Sequence, residues 1–340
     1  MSTAGDPRHP KAFIAVTHDE FLLLFSAEAR RRLAELADLE FAGPGAPALL
    51  PDRVAHDFDV LVTSWSTRTP APGALRGARL RLVLHAGGSV RDLVSRADID
   101  SGPVVSQAGA DAMAGAVAEF SLTLALALLR NLHTHDRGMT ARAGWDAAGH
   151  RMLGRSIQTR RIGIVGLSRP GSHFARMLRG LGCTDVCAYD PFTSEHAAAA
   201  LGVTLLPLDD LVGRSEVLAI HAPATPETRH LIGREQLASM PDDSIIVNTA
   251  RSWLVDQEAL LAEVTSGRIA AALDVFDDEP LPTTSAFIGL PNVITTPHVA
   301  GGTRESRHAQ GDAVVAELER HLRGEALAHA ITAALYDRLA

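Results

Sequence analysis

Three side chains able to bind an anion or exchange a proton stand at the ends of apolar runs in the second half of the sequence. Arg251 and Glu279 follow the runs SIIVNTA and IAAALDVF, and His298 ends the run NVITTPH. Arginine offers a planar two-pronged donor to a carboxylate. Histidine exchanges protons near neutral pH, and a neighbouring carboxylate can orient it. Singly each would be taken for a surface group, but the ordered trio predicts one site, because the carboxyl ends of parallel strands face one crevice.

A fourth apolar run, RIGIVG, ends in a glycine turn that predicts nucleotide binding. Gly166 and Gly171 frame this turn before a helical stretch, although Ser168 stands where a middle glycine is usual. Asp190 lies 24 positions after Gly166, at the end of the next apolar run. A carboxylate there accepts hydrogen bonds from ribose hydroxyls and repels a 2′-phosphate, which favours NAD over NADP. The alternative is an ordinary tight turn followed by a strand-terminal aspartate.

Alternating short apolar runs and longer helical patterns must position these residues, and they predict parallel α/β architecture. A long apolar helix over Asp111–Leu132 would join two such series, and a last helix over Glu305–Arg323 would return to the first. The second series contains six or seven strands, which indicates a doubly wound sheet. The first-half strands are predicted at Phe13–Val16, Asp59–Thr63, Leu80–His85 and Val104–Ser106, with helices at Ser26–Ala37 and Val90–Ala97.

Composition excludes several classes of function. The net charge of −8 disfavours a nucleic-acid partner. Lys11 is the only lysine, which disfavours P-loop, pyridoxal-phosphate and Schiff-base chemistry, and Cys183 and Cys187 are too few for a structural metal or a disulfide framework. We expect no metal. The first residues carry no long apolar stretch, and the longest apolar run, Phe120–Leu129, is too short to span a bilayer, so we expect a cytoplasmic protein without a membrane partner.

Several motifs together closely resemble the D-isomer-specific 2-hydroxyacid dehydrogenase family. They are VAEF, SEVLAIHAPATPETRHLIG, NTAR…LVD…EAL, ALDVF…EPLP and LPNVITTPHVAGGT, in this order. The resemblance implies two Rossmann-like or flavodoxin-like domains with doubly wound parallel sheets. A discontinuous substrate domain, residues 1–116 and 303–340, would bracket an NAD-binding domain, residues 117–302. It also implies a homodimer, and the chain end leaves no room for the regulatory domain of some relatives.

The resemblance further implies roles for individual residues. Arg251 matches the arginine that binds the substrate carboxylate, Glu279 its partner carboxylate, and His298 the acid/base. The loop Ala86, Gly87, Gly88 and Ser89 matches a turn whose backbone amides hold the same carboxylate. The positions implied to bind NAD are Gly166, Ser168, Arg169, Pro170, Asp190, His221, Pro223, Thr228, Thr249, Ala250, Arg251, Asp274, His298 and Gly301.

We therefore predict an NAD-dependent oxidoreductase that interconverts a 2-oxo acid and its (R)-2-hydroxy acid. The alternative is a non-catalytic NAD(H)-sensing interaction protein of the corepressor type; an oxidation such as that of formate is less favoured. Three departures from the family pattern bear on this prediction: Ser168 and Pro170 in the nucleotide turn, and Trp253 where a small residue is common. A hydroxyl of Ser168 or Ser172 could replace the hydrogen bond that Pro170 cannot donate. Trp65 and Trp253 could flank the crevice and favour a substrate with an apolar side chain; the alternative for either is packing in the core or in a dimer.

Overall fold

The computed structural model describes residues 9–337, which form two compact units. Of the described residues, 9–113 and 302–337 belong to the first unit, and Ala114–Gly301 form the second. The predicted domain boundaries, 116/117 and 302/303, lie within three residues of these divisions. Residues 1–8, part of the segment on which the expectation of no secretory signal rests, lie outside the described residues.

The first unit contains a five-stranded parallel sheet of order β2-β1-β3-β4-β5. This is the flavodoxin-like order. Strands β3 and β4 are buried at every residue, as expected where helices cover both faces of a sheet. The strands are β1 Lys11–Ala15, β2 Asp38–Phe41, β3 Val60–Thr63, β4 Leu82–His85 and β5 Val104–Ser106. The helices are α1 His18–Leu24, α2 Ala27–Leu36, α3 Val54–Asp57, α4 Arg96–Ser101, α5 Gly109–Ala112, α13 Arg304–Leu322 and α14 Ala333–Tyr336.

The second unit contains a seven-stranded parallel sheet of order β12-β11-β10-β9-β6-β7-β8. Its strand order reverses between β6 and β9, the arrangement of a Rossmann sheet with one added strand. The strands are β6 Ile162–Val165, β7 Val186–Tyr189, β8 Thr204–Leu205, β9 Val217–Ile220, β10 Ile245–Asn248, β11 Ala270–Leu273 and β12 Val293–Thr295. The helices are α6 Ala114–Leu129, α7 Leu132–Thr140, α8 Arg169–Gly180, α9 Glu195–Ala200, α10 Leu208–Arg214, α11 Arg234–Ser239 and α12 Gln257–Thr265.

Two helix predictions differ from the structure. The segment predicted as a helix at Val90–Ala97 is mostly a turn, and helix α4 begins only at Arg96 because Ser95 caps it together with Asp98. The long helix predicted over Asp111–Leu132 ends at Leu129, since Asn131 adopts a left-handed conformation with φ 53° before α7. The predicted α/β class and doubly wound parallel sheets are confirmed.

The helical stretch Gly109–Leu129, α5 and α6 joined through Met113, is long and apolar enough by length and composition to cross a membrane. This stretch is longer than the uninterrupted apolar run Phe120–Leu129, so the expectation that no segment is long enough to span a bilayer is wrong by length and composition. Core helices of soluble proteins pass the same test. Helix α6 packs against α8 and β10 within the second unit, which is the behaviour of a core helix.

The two cysteines and the lysine are packed or ion-paired within the fold. Cys183 and Cys187 are free and buried, and burial raises the pKa of both thiols. Lys11 lies in β1, where its Nζ is 2.9 Å from Glu40. Among residues 9–337 no group of three or more His, Cys, Asp or Glu side chains is placed to hold a metal ion.

Candidate active site

The residues predicted to bind the cofactor and to react lie along one edge of the seven-stranded sheet. Gly166 follows β6, Asp190 follows β7 and His221 follows β9, while Thr249 and Asp274 follow β10 and β11. Every strand of this sheet is parallel, so these positions share the carboxyl edge, where open α/β sheets bind their ligands.

Gly166 and Gly171 form a cradle that no larger residue could enter. Gly166 has φ +92°, and a Cβ there would lie 2.6 Å from the backbone of Ala222. A Cβ on Gly171 would lie 2.1 Å from the carbonyl oxygen of Gly166. The first turn of α8 therefore sits directly on the end of β6, with its amino-terminal dipole at the sheet edge. This close packing fits the pyrophosphate of a dinucleotide.

The departures at Ser168 and Pro170 have defined structural roles. Ser168 precedes α8, and its Oγ donates to the carbonyl of His221 at 2.7 Å. Ser172 Oγ donates to the carbonyl of Leu167 at 2.9 Å. In this structure both hydroxyls donate to backbone carbonyls rather than into the nucleotide turn, and the expectation that one of them replaces the donor missing at Pro170 stays a prediction. Pro170 itself lies in the first turn of α8, next to Arg169, where its ring fits the helix.

Asp190 holds two loops together through its carboxylate. Oδ2 accepts from the amide of Leu167 at 2.7 Å, and Oδ1 accepts from the amides of Phe192 and Thr193 at 2.8 and 3.0 Å. The side chain thereby fixes the nucleotide turn against the end of β7. Its negative charge lies at the position where a ribose is expected.

His221 is buried and packs against Phe174, with ring centroids 5.1 Å apart. Burial lowers the pKa of His221 to about 3, and neither ring nitrogen has a hydrogen-bond partner in the described part of the chain. The ring is therefore neutral and serves packing. Beyond it, Thr228 Oγ1 donates to the carbonyl of Pro223 at 2.7 Å and closes the loop after β9.

The turn that carries Arg251 is held by Asn248, a residue that the sequence analysis did not single out. Asn248 is buried; its Oδ1 accepts from the amide of Ala250 at 3.1 Å and its Nδ2 donates to the carbonyl of Arg251 at 2.9 Å. Thr249 is buried, and its hydroxyl is 2.6 Å from that of Ser121. Arg251 Nη1 donates to the carbonyl of Ala250 at 2.7 Å.

Asp274 organises the segment that contains His298. Its side chain is completely buried and accepts from Thr296 Oγ1 at 2.6 Å and from the amides of Val299 and Ala300 at 2.9 and 2.8 Å. These bonds stabilise His298 in the left-handed region, with φ 52°. The family resemblance places Asp274 near the nicotinamide; in this structure its carboxylate contacts the Thr296 hydroxyl before His298 and the backbone amides after it.

His298 and Glu279 are in contact, as the sequence predicts. His298 Nδ1 is 2.6 Å from Glu279 Oε2, and Glu279 Oε1 accepts from the amide of Phe276 at 2.9 Å. An ionised carboxylate can only accept, so Nδ1 carries the proton and Nε2 is left for a reacting group. The two side chains are partly exposed, with 46% and 35% of their surfaces accessible.

Hydrogen bonds connect the Arg251 turn to the histidine. The amide of Asp274 donates to the carbonyl of Asn248 at 3.0 Å, so one polar network spans the ends of β10, β11 and β12. Gly301 lies at the end of this unit.

Trp253 donates from Nε1 to the carbonyl of Thr225 at 2.8 Å, and Arg229 lies 5.1 Å from its ring centroid. Trp253 is therefore fixed beside the loop after β9.

The loop Ala86–Ser89 belongs to the first unit, where it follows β4. Gln310 Nε2 donates to the carbonyl of Ala86 at 2.7 Å, and Gln107 Nε2 donates to the carbonyl of Gly88 at 2.6 Å. The amide nitrogens of Gly87 and Gly88 donate no hydrogen bond within residues 9–337. Since carbonyl and amide point in opposite directions across a trans peptide, the bonded carbonyl of Ala86 turns the amide of Gly87 away from Gln310. Such amides can bind an anion.

The residue that precedes this loop, His85, is buried. Its Nδ1 is 3.0 Å from Thr63 Oγ1, and burial lowers the pKa of His85 to about 4. A Cβ on Gly87 would lie 2.5 Å from the His85 ring, so only glycine fits there.

The sequence could not reveal a role that three amide side chains share. Each one forms hydrogen bonds with the backbone of a loop or turn and so fixes it; they are Gln107, Gln310 and Asn248. Their only signal was a polar residue at the end of an apolar run or helix face.

Comparison with known proteins agrees with this architecture. The family model of the D-isomer specific 2-hydroxyacid dehydrogenase NAD binding domain matches residues 122–300, more than half of the chain. D-3-phosphoglycerate dehydrogenase of Methanocaldococcus jannaschii is 34% identical over 300 residues, which are 88% of this chain and 56% of that protein. Glyoxylate reductase of Korarchaeum cryptofilum is 38% identical over 211 residues, which are 61% of this chain and 63% of that protein. The chain thus spans about half the length of the curated relatives it matches.

Solved structures show the same two-unit fold. The crystal structure of a Polaromonas protein, described as a D-isomer specific 2-hydroxyacid dehydrogenase, superposes with a TM-score of 0.79. It is 26% identical, and the match covers 95% of this chain and 99% of that one. The chain belongs to the D-isomer specific 2-hydroxyacid dehydrogenase family, and residues 122–300 are its NAD-binding domain.

Proposed function

We propose that the protein is an NAD-dependent enzyme that interconverts a 2-oxo acid and its (R)-2-hydroxy acid. The contact of His298 Nδ1 with Glu279 Oε2 at 2.6 Å is the observation that carries this proposal. It makes an oriented acid/base pair at the carboxyl edge of an NAD-binding sheet, where a proton must move when a carbonyl is reduced.

The residues at the carboxyl edge of the seven-stranded sheet are suited to binding NAD. Gly166 and Gly171 leave room for a pyrophosphate, the α8 amino terminus faces it, and Asp190 is placed for a ribose. Bound NAD would supply or accept the hydride. The remaining positions expected to line it are Ser168, Arg169, Pro170, His221, Pro223, Thr228, Thr249, Ala250, Asp274 and Gly301.

The chain's own residues then divide the remaining work. Arg251 binds the substrate carboxylate with its planar fork. Within the first unit the amides of Gly87 and Gly88 are a further candidate for binding an anion, whereas the amide of Ala86 donates to the carbonyl of Thr63. His298 gives a proton from Nε2 to the carbonyl oxygen during reduction and takes it back during oxidation. Glu279 holds the ring through Nδ1 and balances the positive charge. Asp274 and Asn248 fix the two turns that present His298 and Arg251.

Turnover of a panel of 2-oxo acids with NADH tests the proposal. Replacing His298 with alanine should lower kcat by about 10²–10⁴-fold with little change in NADH affinity, the usual contribution of a general acid. Arg251→Lys should also be severe, because an ammonium cannot reproduce the fork. His196→Ala, on the exposed face of α9, is the matched control and should retain activity.

Full activity in either active-site variant would contradict the assigned mechanism. Binding of NADH without turnover of any 2-oxo acid would favour the non-catalytic interaction protein instead. We further propose a soluble cytoplasmic homodimer that acts on a small-molecule substrate, with no nucleic-acid or membrane partner. The net charge of −8 supports the first exclusion, and the packing of α6 within its unit supports the second.

A further inference from the structure

A half-buried guanidinium lies beside the glycine loop of the first unit. Arg307, in α13, places its guanidinium 4.2 Å from the ring centroid of Trp65. Its Nη1 donates to Gln310 Oε1 at 3.1 Å and lies 3.8 Å from the sulfur of Met113. Burial lowers the pKa of Arg307, although Glu20 attracts its charge.

Within residues 9–337 no carboxylate comes within 4 Å of this guanidinium. The carboxylate of Glu20 is engaged elsewhere, since it accepts from Ser64 Oγ at 2.8 Å and from the amide of Ser66 at 2.9 Å. Two other partly buried arginines contrast with Arg307: Arg268 pairs with Glu263 at 2.7 Å, and Arg160 pairs with Glu216 at 2.6 Å. Partly burying a cation without an ion-pair partner costs free energy that an incoming anion could recover.

Arg307 is connected to the loop proposed to hold the substrate carboxylate. Gln310 accepts from Arg307 and donates to the carbonyl of Ala86, so one side chain links the guanidinium to the loop. The Met113 methyl lies 3.4 Å from where a Cβ on Gly88 would stand. Trp65 Nε1 lies 3.9 Å from the same point. Trp65, Met113 and Arg307, called here the Trp65 cluster, therefore flank the glycine loop.

Trp65 is held in place without a ligand. Glu20 fixes the residues on both sides of it, and Ser66 Oγ accepts from the amide of Thr17 at 2.9 Å. Nearly half of the Trp65 surface, 48%, remains exposed. An exposed aromatic that is rigidly mounted beside an arginine offers apolar contact and charge at little entropic cost.

We propose that Arg307 is a second anion-binding residue, and that the preferred substrates are 2-oxo acids with a second anionic group on the side chain. This inference rests on the proposed function. The first carboxylate binds the glycine-loop amides of the first unit. The carbon chain lies along Trp65 and Met113, and the terminal carboxylate or phosphate pairs with Arg307 through charge-assisted hydrogen bonds.

Matched substrate pairs test the inference. The pairs are 2-oxoglutarate against 2-oxopentanoate for a carboxylate, and phosphohydroxypyruvate against hydroxypyruvate for a phosphate. We expect kcat/KM to favour the anionic member of at least one pair by about tenfold or more. Arg307→Gln should remove most of that preference, because it should lower kcat/KM for the anionic member far more than for the member without the second charge. Arg307→Lys should restore part of it.

Arg304→Gln removes an exposed charge from the same helix and is the matched control, expected to leave both substrates unchanged. Thermal melting and NADH titration of each variant report on its folding and its cofactor site. Equal rates for both members of each pair in the unaltered enzyme would overturn the inference while the proposed function stands. An equal loss for both members in Arg307→Gln would also overturn it, because Arg307 would then act on the shared carboxylate. No turnover of any 2-oxo acid would overturn the proposed function, and the inference with it.

Discussion

At the scale of single residues, Asp190 combines a structural task with a choice of coenzyme. Its carboxylate accepts three backbone amides, which leaves its full negative charge fixed at the end of β7. A 2′-phosphate at this position would meet a like charge, and such pairs cost several kcal/mol. We therefore expect the choice between NADH and NADPH to depend on this carboxylate, which three backbone amides hold in place.

We expect NADH to give the higher kcat/KM, and Asp190→Asn to narrow the gap by about tenfold or more. Asparagine keeps one oxygen for the amides while it loses the charge. Asp185→Asn is the matched control, because Asp185 precedes the other end of β7 and pairs with Arg214 at 2.8 Å. A preference of the unaltered enzyme for NADPH would show that the motif is misplaced.

The burial of His221 makes the stability of the second unit depend on pH. Burial lowers its pKa to about 3 from the ordinary value of 6.5, so below about pH 6.5 the unfolded chain binds a proton that the folded chain excludes. Stability should fall as the pH falls from 6.5 towards 3, by about 1.4 kcal/mol per pH unit for this histidine. His85, whose pKa is lowered to about 4, acts in the same direction in the first unit.

Unfolding measured at pH 7.5 and pH 5.0 checks this expectation. The His221→Phe variant should lose roughly 2 kcal/mol less between the two pH values than the unaltered chain. Any cost of repacking the ring is the same at both pH values and cancels in the comparison. His196→Phe, at an exposed position, should leave the pH dependence as it was. Parallel pH dependences of stability for all three proteins would show that His221 binds a proton as readily in the folded chain as in the unfolded chain.

At the scale of elements, the amino terminus of α8 lacks one amide donor, and we expect this to lower the affinity for NADH. Pro170 removes one amide from the first turn, and the hydroxyls of Ser168 and Ser172 both donate to backbone carbonyls instead. The phosphate site therefore has one donor fewer, which should weaken NADH binding by about 0.5–1.5 kcal/mol, roughly three- to tenfold in Kd.

Pro170→Ile should tighten NADH binding by that factor in a direct titration, without changing the pH dependence of the chemical step. Pro207→Ile, at the position before α10, is the control for a proline next to a helix start outside the turn. Unchanged or weaker binding by Pro170→Ile would mean that the missing amide does not limit affinity.

The elements also show which features a sequence can predict. The strands near Leu82–His85 and Ile162–Val165 were predicted because buried parallel strands are continuous apolar runs. Strand β2, Asp38–Phe41, was missed because it is a mostly exposed edge strand that contains two acidic residues. A turn was taken for helix at Val90–Ala97, since Val90 and Val94 have helical spacing and both are buried.

In the candidate site, too, some residues were predicted from the sequence and others were not. Glu279 and His298 were predicted as partners, and the structure places their side chains in contact, because their strand-end positions and residue types are local properties. Gln310 and Arg307 were not predicted, although Gln310 donates to the carbonyl of Ala86, more than 200 residues earlier in the chain, and Arg307 donates to Gln310. Contacts of this kind depend on where the last helix returns in the fold, which no local pattern encodes.

At the scale of the whole molecule, one surface of the second unit is unusually apolar for a chain that acts alone. Along α7 and the segment after it, five large apolar side chains are about half or more exposed. A hollow of about 280 Å³ among them is lined by His135 and Trp145 with their neighbours. The exposed residues are Leu132 at 61%, Met139 at 53%, Trp145 at 67%, Met152 at 48% and Leu153 at 89%.

These exposed apolar side chains support the proposed homodimer, because exposed apolar patches on a protein surface mark sites of interaction. In a two-fold dimer the same patch faces its own copy, so two apolar faces bury each other. We expect light scattering to give twice the chain mass of 36.0 kDa. Placing two charges on each face, with Trp145→Glu and Leu153→Glu together, should yield monomers, because burying four unpaired carboxylates per dimer costs more free energy than the apolar contacts return.

Leu23→Glu is the matched control, since Leu23 is 53% exposed on α1 of the first unit, outside this patch. It should leave the mass at that of the dimer. The monomeric variant should still bind NADH, because Gly166, Asp190 and the α8 amino terminus all belong to one chain. A monomer in the unaltered protein at micromolar concentration would contradict the proposed assembly. A dimer that persists in the double variant would show that the two copies meet elsewhere.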